Sequence, residues 1–370
     1  MRQIAGICAS AWCLLITTCW CDDWPLGRGD VAGTGATKTE LATELSLIWE
    51  LPLGGIGFES TPVVGDGTIF IGDPDGRVFA IDLGSGKEKW RLELDTGFVA
   101  AATYHEQAVY IGDYDGVLYA LDAVTGKEKW RFKTEMEISA SPTFIGDHLL
   151  VTSQDGVLYC LNRKQGELVW KYTTGDQLRC GASLAGNRTY LGGCDGKLHV
   201  VDVTKGSAIG EPILLDGPTG STPSVLGSAV LVPTHGGRLF AFDSASNKEL
   251  WQFFDPKLSQ EFQNNVATAD GIVVATSRNK HVFALDIKTG NVLWDIVLRK
   301  RADSSPVIAG SSAVIAAADG RLIVLDLKTG SEKWLYEIKG AFIGSPAVVD
   351  GKIIVASDKG TVFCFGSKLQ

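Results

Sequence analysis

The sequence predicts an all-β fold, an eight-bladed β-propeller built of four-stranded antiparallel blades, on three observations. A cassette with an aspartate, a glycine and a closing tryptophan recurs about every forty residues, the size of repeat that builds propellers and solenoids. Each copy also holds a short Asp-Gly-like turn between two apolar runs. Finally, the pattern begins with a lone tryptophan strand and ends one tryptophan strand short.

The turns give the count. They fall at Asp75-Gly76, Asp115-Gly116, Asp155-Gly156, Asp195-Gly196, Gly236-Gly237, Asn279-Lys280, Asp319-Gly320 and Lys359-Gly360, which is eight copies. In the first, Thr68 to Gly72 runs in and Arg77 to Asp82 runs out, as in a hairpin. A third strand precedes each pair behind a Ser/Thr-Pro signal, as at Thr61-Pro62, Ser141-Pro142, Thr222-Pro223, Ser305-Pro306 and Ser345-Pro346. The tryptophan strand, such as Lys89 to Leu94, completes four strands per blade.

The chain ends specify closure. After Lys359-Gly360 only Thr361 to Phe365 follow, so the last copy lacks its tryptophan strand. Leu47-Ile48-Trp49-Glu50-Leu51 is a tryptophan strand without a blade. Pairing the two closes the ring with one N-terminal and three C-terminal strands, and removes two exposed sheet edges.

Within the cassette the residue types have separate tasks. Gly86, Gly126, Gly290 and Gly330 permit positive φ in a tight corner. Asp82, Asp122, Asp202, Asp243, Asp286 and Asp326 can accept backbone N–H groups there. The indoles of Trp49, Trp90, Trp130, Trp170, Trp251, Trp294 and Trp334 are expected to pack flat between adjacent blades. Two copies depart from the pattern. The fourth has Gly210 where tryptophan belongs, so its junction with the fifth blade is expected to be looser or filled differently. The fifth has Asn247 in the glycine slot, a residue that also visits positive φ.

Residues 1–21 read as an export signal. Arg2 is the only charge, and the apolar run from Ile4 to Cys19 is short for a membrane span. Ile16-Thr17-Thr18-Cys19 loosely resembles a lipobox, so a lipid anchor on Cys19 or Cys21 is one expectation and an ordinary cleaved signal the other. Residues 22–45 read as a flexible leader and 46–367 as the propeller. The formal charge of −9 opposes non-specific attraction to nucleic acid or anionic lipid, so neither is an expected partner.

The chemistry-bearing motifs reduce mostly to turns. Asp73-Pro74-Asp75-Gly76 and Asp113-Tyr114-Asp115-Gly116 open like Ca²⁺ loops, but Gly84 and Val124 stand where a bidentate glutamate is needed. Gly33-Thr34-Gly35-Ala36-Thr37-Lys38 lacks the glycine before lysine and the preceding strand of a phosphate loop. The five histidines sit singly in different copies, without ligand spacing. No metal or catalytic residue is expected from these patterns. Register does place Cys180 at the opening of an innermost strand and Cys194 at the end of its antiparallel neighbour, which predicts a Cys180–Cys194 disulfide.

The cassette Ala120-Leu121-Asp122-Ala123-Val124-Thr125-Gly126-Lys127-Glu128-Lys129-Trp130 resembles the tryptophan-docking repeat of pyrroloquinoline-quinone-type (PQQ-like) propellers, and the likeness runs from Leu47 to Phe365. Trp24-Pro25-Leu26-Gly27-Arg28-Gly29 is similar to the opening of exported propellers of this kind. Two branches follow from the resemblance. One is the quinoprotein alcohol and sugar dehydrogenases, which carry quinone and Ca²⁺ near the axis, with a vicinal Cys-Cys disulfide and a catalytic Asp. The other is the non-catalytic BamB-like branch, which serves assembly of outer-membrane β-barrels. Here no two cysteines are adjacent, and the cassettes join with almost no inserted sequence.

The expectation is therefore a non-enzymatic, exported, monomeric scaffold without cofactor, in the periplasm or at the outer-membrane periphery. Its protein partners would be β-barrel assembly components. A PQQ-dependent oxidoreductase is the alternative, and a ligand- or carbohydrate-sensing propeller a second one. Residues opening the innermost strands should ring the axis on one face. The candidate binding face comprises Glu59, Arg179, Phe262, Gln263, Arg301 and Asp303. The longer connection from Phe253 to Phe262 and the basic triplet Arg299-Lys300-Arg301 add to that face.

Overall fold

The computed structural model describes residues 23–258 and 261–368. The export signal, its cysteines, and Ser259 and Gln260 of the longer connection lie outside the described residues. Eight sheets form, each with an innermost three-residue strand, two central strands and an outer strand. In blade one these are Val63–Gly65, Thr68–Gly72, Arg77–Asp82 and Glu88–Glu93. The eighth sheet closes as expected. Its outer strand is Ser46–Pro52, paired antiparallel to Thr361–Gly366 with Trp49 opposite Cys364.

The core lies between blades, because each central strand is apolar on both faces. Val63, Phe70 and Ala80 of blade one pack with Val109, Ile111 and Tyr119 of blade two, and similar clusters recur around the ring. Outer strands alternate exposed with part-buried residues, since only one face meets a neighbouring blade.

Seven junctions share one device. The indole Nε1 donates to a backbone carbonyl of the next corner: Trp49 to Leu83, Trp90 to Ala123, Trp130 to Arg163, Trp170 to Val203, Trp251 to Ile287, Trp294 to Leu327 and Trp334 to Leu45, all at 2.8–3.1 Å. The corner glycine has two reasons to be glycine. Gly166 sits at φ +73°, and a Cβ there would stand 2.5 Å from the Trp130 ring. The corner aspartate accepts as expected: Asp122 Oδ1 takes the N–H of Thr125 at 3.0 Å and its hydroxyl at 2.9 Å.

The fourth junction is filled by other groups. Its outer strand is split into Ser207–Ala208 and Ile213–Leu214, both paired to Lys197–Asp202. In place of an indole, Arg188 Nη1 and the Tyr190 hydroxyl both donate to Ser244 O at 2.9 Å. With no ring lying on the fifth corner, Asn247 occupies the glycine slot at φ 59° without a clash of that kind.

The leader is not a flexible tether. Trp24 exchanges both backbone hydrogen bonds with Val64, and Trp24, Leu26 and Arg28 are buried. From there it passes the innermost strands in turn. Its carbonyls accept from Tyr104, Leu184, Val225 and Thr268 at 2.8 Å, and from Ile308 and Gly310 at 3.0 Å. Ala36–Thr37 joins blade seven as a fifth, parallel strand beside Val307–Ala309. The physical reason is the edge problem: an innermost strand turns an unpaired N–H toward the axis, and for blades one, two, four, five, six and seven the leader supplies the acceptor.

Candidate functional site

The strands run antiparallel within each blade, so the ring has two distinct faces. One carries the cassette corners and the hairpins after the innermost strands, and the leader enters there. The other carries the Asp-Gly-like turns and the residues that open the innermost strands.

At the axis, the Ser/Thr-Pro signals become a belt of hydrogen bonds between blades. Gly181 N donates to Thr222 Oγ1, Thr222 N to Asn265 Oδ1, Asn265 N to Ser305 Oγ, Ser305 N to Ser345 Oγ, and Ser345 N to Thr61 Oγ1, over 2.6–3.2 Å. Proline after Thr222, Ser305 and Ser345 leaves the chain extended there, which aims the preceding N–H at the next blade, and Gly181 and Asn265 continue the belt without it. Against this belt lies Arg28. Its Nη2 donates to Val266 O and Pro306 O at 2.9 Å. Burial pulls its pKa down to about 10, with Asp30 acting the other way. Gly35 must be glycine here, since a Cβ would stand 1.8 Å from Arg28 Nη2. Arg28 Nε and Nη1 meet no protein acceptor, and the adjoining cavity of about 20 Å³ has room for a single water.

The opposite mouth gathers most of the expected binding face. Glu59 and Arg179 are exposed, and Gln263, Arg301 and Asp303 are partly so. Arg179 donates to Gln177 Oε1 at 2.9 Å, and Arg301 Nε to Asp303 Oδ1 at 2.5 Å. Gln263 accepts from Arg278 and donates to Glu261 at 2.6 Å. Arg299 of the basic triplet reaches Glu337 at 3.5 Å.

Phe262 does not belong to this face. It is 1% exposed and packs tilted against Phe253 and Phe283 between blades five and six, so the longer connection anchors itself with that ring. Phe254 alone of its aromatics is exposed, beneath the Arg238 guanidinium at 4.8 Å.

Residues that the repeat reading passed over also reach the mouth. Burial raises the Tyr114 phenol, with the Glu59 and Glu137 carboxylates acting in the same direction. Burial also raises Glu137, against the opposing pull of Arg179. Their signal in the sequence is positional: Tyr114 lies inside an Asp-Gly-like turn, and turns of that type all open on this face.

Cys180 and Cys194 are free thiols, contrary to the predicted disulfide. Cys180 Sγ turns to the carbonyl of Gly192 at 3.1 Å, and burial pushes its pKa up to about 12. Cys194 lies beyond the strand, its backbone N–H bonded to Gln177 O at 3.0 Å. In blade four the buried His199 bridges Asp195 at 3.0 Å and Tyr172 of blade three at 3.1 Å.

A divalent cation near the axis does not fit these residues. Asp303 is already paired with Arg301, and the Arg179 guanidinium shares the mouth with Glu59. Among the described residues no three His, Cys, Asp or Glu side chains gather to hold a metal ion.

Eight blades, joined at seven of their eight junctions by indole-to-corner hydrogen bonds, define a PQQ-like repeat propeller. Within that class, the chain belongs to the family described as outer membrane protein assembly factor BamB, whose model matches residues 39–137, 74–225 and 207–368. Among solved structures it is similar to BamB from Moraxella catarrhalis, with TM-score 0.73, 21% identity, and coverage of 88% of this chain and 99% of that one. It is also similar to the quinohemoprotein alcohol dehydrogenase from Comamonas testosteroni, with TM-score 0.78, 16% identity, and coverage of 94% and 81%. A europium-containing methanol dehydrogenase gives TM-score 0.77, 14% identity, and coverage of 94% and 98%. At these identities the likeness is one of fold. No curated protein matches the sequence.

Proposed function

We propose that this chain is a non-enzymatic, exported propeller that binds proteins at the cell envelope and serves assembly of outer-membrane β-barrels. The observation that carries this reading is the axis. Its own leader lies along the innermost strands from Trp24 to Thr37, so the channel is lined by the chain itself. What stays open is surface, chiefly the mouth around Glu59, Tyr114, Glu137 and Arg179. Carboxylates such as Glu59 and Glu137 share that mouth with the Arg179 guanidinium, and charges of both signs suit orienting a protein partner. Membership of the BamB family supports the same reading, as does the donor set, which does not suit Ca²⁺ with a quinone.

The test is affinity capture from native envelopes with the full chain, alongside quinone extraction and dye-linked alcohol oxidation. Recovery of β-barrel assembly components is the expected result. Co-purifying quinone with alcohol-oxidising turnover would overturn it in favour of a quinoprotein dehydrogenase.

A further inference from the structure

The belt around the axis has one position per blade, and along most of it a backbone N–H donates to a side-chain oxygen on the next blade. Five such bonds run from Gly181 round to Thr61. The belt stops because Ala101 and Gly181, at the positions of blades two and four, carry no side-chain oxygen. The leader fills the first gap. A Cβ on Gly27 would stand 2.8 Å from Ala101 Cβ and 2.7 Å from Ser141 Oγ, so the leader backbone packs directly on it. The second gap is different. Beside Gly181 the belt opens on the small cavity lined by Ser141, Thr222 and Arg28, about 20 Å³, which takes one water-sized or monatomic guest.

Donors outnumber acceptors around that cavity. Arg28 is 7% exposed, and a guanidinium side chain has five N–H groups. Two are on Nη2, which bonds Val266 O and Pro306 O at 2.9 Å. The other three, on Nε and Nη1, are buried and meet no protein acceptor. The Ser141 N–H holds the next place in the belt, where Gly181 offers it no side chain. A water has two lone pairs, so one water here leaves a guanidinium N–H unpaired and the buried charge uncompensated. A monatomic anion accepts from all sides and brings the opposite charge. Asp30 also lines the cavity, but the Thr34 N–H and hydroxyl occupy its oxygens at 3.0 and 2.5 Å. Its attraction does not outweigh the burial of Arg28.

We infer that the cavity between Arg28 and Gly181 binds a single halide-sized anion, of the chloride class, which stands in for the missing hydroxyl and neutralises the guanidinium. The anion ties the leader, through Arg28, to blades three and four, the arc of the belt where side-chain oxygens are lacking. This is a counter-ion built into the ring, separate from the mouth and independent of any partner bound there.

The test compares melting of the full chain at constant ionic strength in sodium chloride, sodium bromide and sodium gluconate, whose anion is too large for the cavity. Gly181→Ser is the control, since it puts a hydroxyl at the belt position and shares any general salt effect. A Cβ there meets Thr222 Oγ1 at 3.0 Å and Ser141 O at 3.4 Å. Relative to that variant, the wild type should gain about 1–3 °C in chloride or bromide over gluconate, saturably. Arg28→Met should lose the same gain. Wild-type crystals grown in bromide should show an anomalous peak beside Arg28 and Gly181, a readout that stands even where a variant fails to fold. A halide gain equal in wild type and Gly181→Ser overturns the proposal, as does the absence of any gain. Density in the cavity without anomalous signal in the bromide crystal also overturns it, because the guest is then water.

Discussion

Arg188 donates to the carbonyl of Ser244 at 2.9 Å, at the corner position where seven other junctions receive an indole N–H. The missing tryptophan of blade four and the missing glycine of blade five are therefore one change. Once no ring lies on the corner, the corner no longer excludes a side chain. Replacing Arg188 by Leu should cost about 1–3 kcal/mol, the range for a lost hydrogen bond from a charged donor. Urea unfolding measures it, and hydrogen exchange at Ser246 and Asn247 should quicken first. Unchanged exchange there would show that Tyr190 holds the junction alone.

Trp130 is anchored three ways: its Nε1 on Arg163 O, its ring over Gly166, and Tyr110 tilted against it at 5.8 Å. Trp130→Ala should destabilise by about 3–5 kcal/mol. A melting shift indistinguishable from zero would reject the docking role.

Gly166→Ala and Asn247→Ala separate backbone strain from steric exclusion. Both add or keep a Cβ at positive φ, but only the first drives it into an indole. Gly166→Ala should cost about 2–4 kcal/mol from left-handed strain and overpacking together. Asn247→Ala should cost about 1 kcal/mol, from strain and from its long hydrogen bonds to Ile209 O and Arg188, with no indole to overpack. Equal costs in equilibrium unfolding would mean that the indole yields freely.

Acid should unfold the ring through its corners. Hydrogen bonds from Ser or Thr hydroxyls, then backbone N–H groups, hold Asp82, Asp202, Asp243, Asp286 and Asp326 below their ordinary value of 3.8, and Asp122 is lowered by Thr125 in the same way. A carboxyl with a depressed folded pKa contributes stability that is fully present above its unfolded value. That stability is lost as pH falls through the folded value. The melting temperature should thus hold from pH 7 to about 4 and drop below it. Blade three already uses a non-titrating corner, where Asn162 accepts from Lys164 and Gln165. Asp122→Asn should accordingly flatten the acid limb of a melting-temperature profile, and a steeper limb would contradict the assignment.

Cys194 should alkylate before Cys180 in the native protein, and Cys180 only on unfolding, because burial raises both thiols and Cys180 is the more deeply buried. Peptide mapping without reductant should find both modified. A cross-linked peptide pair would contradict the free-thiol geometry.

Much of the ring was legible because its signals are local. Turn chemistry, period-two strands and the corner aspartate each act within a few residues. The mouth was partly legible, since register places Glu59, Arg179, Gln263 and Asp303 at strand openings, with Arg301 of the basic triplet beside Asp303. Phe262 belongs to the longer, aromatic-rich connection, and composition does not set which way an irregular connection turns its ring.

From sequence alone came the period, the eight blades, the shared eighth sheet and the indole-bearing corners. All of these follow from a pattern repeated within about forty residues. Only the tertiary structure decided the course of the leader, the filling of the fourth junction and the state of the cysteines. Arg28 meets Val266 and Pro306 across more than two hundred residues of chain. Arg188 meets a corner one blade away. Such contacts depend on where the closed ring puts distant backbone acceptors, and no periodicity in the chain encodes that position.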